Sequence, residues 1–278
     1  MLKRHLKSIL QKLDGITGFA ESHDILLHES INSRREAHSN PILKRGYSFF
    51  SQADEDGIIE EILFRIRSKP LQHSGVFAEM GVGDGLQNNT LNLLMHGWSG
   101  MWFGGEKIAF DVTDIESLYF KRGWITLDSI DEIFKELSRE KVDVFSLDLD
   151  GNDLHFAKRL LELGFKPRVW VQEYNANFPP NSKWSIKYNP NHVWDRSTYW
   201  GASLGELNNL FVSYGYELVV CNITGINAFF VLTEDLNNFT DVPKGIEKNF
   251  MPYRPWFPKS RQTHLGKILS GLNREHKK

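Results

Sequence analysis

Two acid-rich turns and one glycine-rich turn hold most of the residues in this sequence that could do chemistry. Asp148 and Asp150 stand at alternate positions where one apolar run ends, and Glu173 and Asn175 repeat the pattern where the next one ends. Alternate residues of a strand share a face, so each pair is expected on one side of its strand. Burying two carboxylates together is costly unless a cation, a proton or a donor compensates. Neighbouring parallel strands lie about 4.8 Å apart, close enough for both ends to converge on one ion. Oxygen donors from Asp150, Glu173 and Asn175 suit Mg2+, Mn2+ or Ca2+ rather than Zn2+. The metal-free arrangement is a turn over Asp150, Gly151 and Asn152 that caps the next helix, with Asp153 a cap and not a ligand. Chemistry on a hydroxyl beside such acids would also need a proton acceptor. His192 and His155 are the candidates, with Asp150 as the metal-free alternative, and each histidine equally fits a packing or surface role.

Gly81, Gly83 and Gly85 alternate after an earlier apolar run. Missing Cβ atoms let the backbone turn sharply and approach a ligand, and a tight structural turn would use the same residues. The dinucleotide fingerprint G-x-G-x-x-G is broken by Leu86, which argues against a nicotinamide cofactor. Glu79, inside the strand end, is placed to accept hydrogen bonds from a cationic aminoacyl group.

These turns need a scaffold of alternating strands and helices. Residues 51–66 place Ile58, Ile59, Ile62, Leu63 and Ile66 on one helical face behind an acidic first turn. Strands are expected over 75–85, 99–106, 123–127, 142–151 and 168–175, and helices over 86–98, 128–137, 154–164 and 202–215, with Asp128 or Ser129 as a cap. Residues 216–232 predict a hairpin turning near Thr224-Gly225. The fold class is therefore α/β, a doubly wound, mainly parallel sheet closed by a C-terminal antiparallel hairpin. Three segments follow: a helical extension (1–45), the main domain (46–235) and a polar tail (236–278) containing the aromatic stretch 252–257. Ligands of such sheets bind beyond the carboxyl ends of the strands, where the acid and glycine turns all fall.

The ordered series S-Q-x-x-E-D-G-I-I (51–59), F-A-E-M-G-V-G-D-G-x-x-x-N-T (77–90), G-W-x-G-M-W (97–102), D-V-F-S-L-D-L-D-G-N-D (143–153), E-Y-N (173–175), G-A-S-L (201–204) and G-x-N-A-F-F-V (225–231) resembles class I S-adenosylmethionine-dependent methyltransferases, in particular the FkbM-type enzymes of bacterial surface-carbohydrate gene clusters. The resemblance covers roughly residues 48–232. It implies a seven-stranded sheet whose last two strands come from the hairpin. It implies that Glu79, Gly81 and Gly83 contact the methionine and ribose part of S-adenosylmethionine, with Asp84 and Asp148 in the same cofactor-binding set. Gln52 and Asp56 match the family motif that precedes the first strand. One departure stands out: Gly104 occupies the place where the family tends to carry a ribose-binding acid, and Glu106 is the substitute two residues on. The acids also resemble those of catechol O-methyltransferase and the metal-dependent sugar O-methyltransferases, which implies Mg2+ or Mn2+ beside the cofactor.

Residues 176–200 read as a cover over the site. Half of the eight tryptophans fall in 170–200, and Phe178, Trp184, Tyr188, Trp194, Tyr199 and Trp200 are interleaved with Lys183, Lys187, His192 and Arg196. Ring faces stack on sugars and cations hold phosphate, so a sugar or phosphate-bearing small molecule is the expected substrate; a loop tied down by ring packing is the plainer alternative. A net charge of −2 argues against nucleic acid. No apolar run of about 18 residues is present, so no stable membrane insertion is expected. One cysteine, Cys221, excludes an internal disulfide framework and reads as a core residue, and the expected compartment is the cytoplasm. Leu2, Leu6, Ile9, Leu10 and Leu13 predict an amphipathic first helix, through which a homo-oligomer could form.

Overall fold

The computed structural model describes residues 25–71, 74–113 and 115–254. The amphipathic pattern of residues 2–13, and with it the expected oligomer contact, lies outside them. Residues 25–37 are helical (α1). The elements then run α2 (Glu55–Arg67), β1 (Val76–Met80), α3 (Leu91–Met95), β2 (Ser99–Gly104), β3 (Leu118–Arg122), α4 (Leu127–Leu137), β4 (Val144–Leu147), α5 (Asp153–Glu162), β5 (Val169–Glu173), α6 (Leu204–Ser213), β6 (Tyr216–Cys221), β7 (Asn227–Leu232) and α7 (Ile246–Asn249). No helix among the described residues is long and apolar enough to cross a membrane.

The strands form one seven-stranded, Rossmann-like sheet in the order β3-β2-β1-β4-β5-β7-β6. Strands β1 to β5 are parallel, and β7 is antiparallel to both β5 and β6. This is the arrangement that the family resemblance implies. The central strands β1, β4 and β5 read as near-continuous apolar runs because helices cover both faces. Trp170 on β5 is fully buried and meets Phe145, Phe165, Phe211 and Tyr216 edge-on. Such pairs add to the area they bury. Cys221 is likewise buried, and burial pushes its thiol up to about 12.

Three elements differ from the sequence expectation. The third strand is Leu118–Arg122, which pairs with β2 from Gly100 to Gly104, and not residues 123–127. Those residues leave the sheet to start α4, where Thr126 and Ser129 form a reciprocal cap in place of Asp128. Helix α3 begins only at Leu91, because the backbone N–H groups of Asn89 and Thr90 are drawn to the buried Glu79 carboxylate. Strand β4 stops at Leu147, so Asp148 and Asp150 belong to a loop and not to a strand face. Beyond β7, Phe239, Val242 and Met251 join the core, so residues 239–251 pack as part of the body.

Candidate active site

The order of the sheet reverses between β1 and β4, and a cavity of about 640 Å³ opens at the carboxyl ends of the strands there. This is where the doubly wound fold places its ligands. Gly81, Val82, Gly83, Asp84 and Gln87 line it after β1, Glu106 after β2, Asp148 and Asp150 after β4, and Glu173 at the end of β5. Gln52, Ala53, Trp194, Trp200, Thr224, Ile226, Tyr253 and Arg254 complete the wall.

The glycine turn is required by contact with β4. A Cβ on Gly81 would stand 1.5 Å from the Asp148 carbonyl oxygen, and its φ of +97° is one that other residues rarely adopt. A Cβ on Gly83 would meet nothing within 4 Å, so this backbone borders open space. Gly104 ends β2 against the same turn, where a Cβ would lie 3.0 Å from Val82 Cγ2. A ribose-binding acid at that position would press on the glycine loop, whereas Glu106 reaches the cavity from an exposed turn.

Glu79 does not line the cavity. It is 3% exposed, and its carboxylate accepts from Asn89 N (3.0 Å), Thr90 N (3.0 Å) and Thr90 Oγ1 (2.5 Å). Trp102 Nε1 in turn donates to Thr90 Oγ1 at 2.9 Å. Burial pushes the Glu79 carboxyl up to about 7, against the pull of those donors. Its place is behind the glycine loop, where it organises the entry to α3. Asp56 plays a similar part before β1: one of its oxygens accepts from Phe49 N, Phe50 N and Ser51 N. Glu55 accepts from Asn222 and Asn227, and Asp54 accepts from Ile223 N, which ties the motif to the β6–β7 turn and leaves Gln52 on the cavity wall.

Asp148, Asp150 and Glu173 each offer a carboxylate oxygen within 4.8 Å of the others. They converge through loop geometry: Asp150 sits at φ +54°, and its N–H donates to Glu173 Oε2 at 3.1 Å. Asp153 shapes this loop by accepting from Leu149 N and Gly151 N, both at 2.8 Å. Burial, then the neighbouring Asp150 charge, raises Asp148 well above the usual carboxylate range, and burial, then Asp148, does the same to Glu173. Asp150 is also raised by burial, but His192 favours its ionised form. Three oxygen donors held against their own repulsion make a set that suits a hard divalent cation.

Asn175 does not join this group. Its Nδ2 donates to the carbonyls of Thr198 (3.0 Å) and Trp200 (2.8 Å), and its Oδ1 accepts from the backbone and side-chain amides of Asn177. The histidines are also engaged elsewhere: His155 Nε2 lies 2.9 Å from Ile186 O, and His192 Nε2 lies 3.2 Å from Asp150 O. Neither lines the cavity.

The 176–200 insert is stitched on both sides. Asn152 and Asn189 exchange two hydrogen bonds, Leu127 N donates to Tyr188 OH, and Ser185 bridges to Ala202. Phe178 stacks on Trp184, which meets Tyr199 edge-on. Of the insert's rings only Trp194 and Trp200 line the cavity, and Lys183, Lys187 and Arg196 are exposed away from it. The cation that does line it, Arg254, comes from the segment read as tail. Its signal in the sequence was the aromatic and basic stretch 252–257, with nothing to connect that stretch to the strand ends.

No family model matches the chain, and comparison with curated proteins finds no match. Among solved structures the chain is similar to an O-methyltransferase family protein from Burkholderia thailandensis, with 10% identity over 62% of this chain and 55% of that one and a TM-score of 0.37. It is similar to MycE methyltransferase of the mycinamycin biosynthetic pathway in complex with Mg and SAH, with 15% identity over 77% and 54% and a TM-score of 0.36. It is also similar to an O-methyltransferase family 2 protein from Planctomyces limnophilus in complex with apigenin, with 14% identity over 61% and 56% and a TM-score of 0.34. The chain spans little more than half the length of these structures.

Proposed function

We propose that this protein is an S-adenosylmethionine-dependent methyltransferase that methylates a hydroxyl oxygen, with a divalent cation at the acids. The observation that carries this reading is a single cavity lined both by the glycine turn and by the Asp148, Asp150 and Glu173 carboxylates. Fold alone would not suffice. The backbone of Gly81–Asp84 borders the space for the cofactor, Glu106 is the acid nearest the ribose position after β2, and Asp148 faces the cationic methionine end. A bound Mg2+ or Mn2+ would act as a Lewis acid that lowers the pKa of the acceptor hydroxyl. Without the cation, Asp150, which borders the same cavity, is the carboxylate that would take the hydroxyl proton. Trp194, partly exposed beside the buried Trp200, offers a ring to a sugar, in keeping with a phosphorylated or nucleotide-linked precursor of a bacterial surface polysaccharide.

A metal-free reading has its own support, because Asp148 and Glu173 face each other closely enough to share one proton. Titration of the purified chain with S-adenosylmethionine and its demethylated product, followed by transfer of a labelled methyl group with and without EDTA, separates these readings. Saturable cofactor binding with turnover lost in EDTA is the expected result. Turnover unaffected by EDTA would leave the metal-free enzyme, and absence of cofactor binding would end the methyltransferase reading.

A further inference from the structure

The cavity is acidic, yet it contains one cation that the acids do not hold. Among the described residues lining it, Arg254 alone is positively charged, against Asp84, Glu106, Asp148, Asp150 and Glu173. Among the described residues its recorded hydrogen bond is the one its backbone N–H donates to Thr224 O. The backbone beneath it is fixed. Tyr174 OH donates to Met251 O at 2.7 Å, Met251 N donates back to that hydroxyl at 3.3 Å, and Arg254 N donates to Thr224 O at 2.8 Å. The strap crosses the hairpin turn at Gly225, where φ is +70° and a Cβ would stand 2.5 Å from Met251 O and 2.6 Å from Pro252. This crossing holds Tyr253 and Arg254 at the wall that also carries Gln52 and Thr224, within the same cavity as the rings of Trp194 and Trp200.

A neutral acceptor would bring no anion to the guanidinium that lines this cavity. A phosphate or carboxylate would fill its fork with two parallel hydrogen bonds, the pairing for which the group is shaped. Building on the methyltransferase reading, we propose that Arg254 binds an anionic group of the methyl acceptor, so that the strap Met251–Arg254 selects acceptors bearing a phosphate or a carboxylate. The exposed Lys183, Lys187 and Arg196 have no part in this.

The test uses the full chain, with and without saturating S-adenosylhomocysteine, and two probes. Inorganic phosphate is followed by 31P line width, and acetate by saturation transfer to its methyl protons. The wild type should bind one anion in preference, which identifies the group. Arg254→Gln should weaken that binding by about tenfold or more, the loss of a charge-assisted contact, while Arg254→Lys keeps part of it. Gly225→Ala, which keeps the Arg254 side chain but displaces the strap that carries it, should weaken it as well. Affinity for S-adenosylhomocysteine should stay unchanged in all three variants. The proposal is overturned if the wild type binds neither anion, or if Arg254→Gln binds them as the wild type does. It is also overturned if Arg254→Gln loses cofactor affinity, which would place the guanidinium on the cofactor's own carboxylate. Failure of the wild type to bind S-adenosylhomocysteine would remove the methyltransferase reading by itself, and the titrations without it would still decide whether Arg254 is an anion site.

Discussion

Replacing Glu173 with Gln should make the metal-free protein more stable and the metal-loaded protein less so. Glu173 is 5% exposed, and its carboxylate lies within 4.8 Å of those of Asp148 and Asp150. Two full charges at that separation repel by about 3.5 kcal/mol at an effective dielectric constant of about 20. Partial exposure of Asp148 and Asp150 reduces the relief to about 2 kcal/mol, or about 4–8 °C in Tm for a chain of this size. The amide still offers an oxygen to Asp150 N, so no buried donor is abandoned. The sign follows from the raised carboxyls: both bind protons more readily folded than unfolded, so their contribution is favourable at low pH and is lost as pH rises. Relief should therefore be largest near pH 8 and vanish near pH 5. Mg2+ at a hundredfold excess over its Kd adds about 2.7 kcal/mol to the wild type and much less to the variant, so the order of stability reverses. Thermal unfolding of both proteins in EDTA and in Mg2+ or Mn2+ reads this directly. A variant less stable than wild type in EDTA at pH 8, or equal metal stabilisation of both, would refute the convergence of these three acids on one cation.

Three further substitutions probe the surroundings. Glu79, raised by burial from 4.5 to about 7, contributes stability below pH 4.5 that is lost as pH climbs through 7, about 3 kcal/mol in all; denaturant unfolding of Glu79→Gln across pH 4–8 should lack this slope, and an unchanged slope would count against it. Asn175→Ala removes the bonds to Thr198 and Trp200, at a cost of about 1–3 kcal/mol, and should speed limited proteolysis within 176–200; cleavage at the wild-type rate would mean the insert is held by other contacts. Gly104→Asp sets a Cβ 3.0 Å from Val82 and should lower affinity for S-adenosylhomocysteine; a gain would show that the position accepts the family's acid after all.

What the sequence revealed and what it concealed have separate physical causes. Strands β1, β4 and β5 were legible because burial on both faces makes them continuously apolar. The edge strand β3 was not: Leu118–Arg122 carries Tyr119, Lys121 and Arg122 on partly exposed positions, while the more apolar 123–127 turned out to be a helix entry. The acids could be located because ligands gather at strand ends, but their directions could not be read from alternation. Asp150 turns through a left-handed backbone, and Asn175 is claimed by carbonyls about 25 residues away. Arg254 lies some 80 residues after Glu173 on a stretch without periodicity, and only the crossing at Gly225 brings the two to one cavity.

The insert's attachments bear on how a substrate could enter. Ring stacking alone, as between Phe178 and Trp184, would leave a cover free to lift. Here the bonds of Asn189 to Asn152, Ile186 O to His155 and His192 to Asp150 O fasten the insert to the loop and helix that carry the acids. Lifting this side would pull on Asp150, whose N–H is bonded to Glu173, and so would dismantle the carboxylate cluster. Entry by that route therefore destroys the site it leads to. The part of the wall formed by Gln52, Thr224, Tyr253 and Arg254 is held differently: its strap is bonded to Tyr174 OH and Thr224 O and not to the insert. On the proposed reading, an acceptor entering there passes the Arg254 guanidinium, which lines the same cavity as the acids.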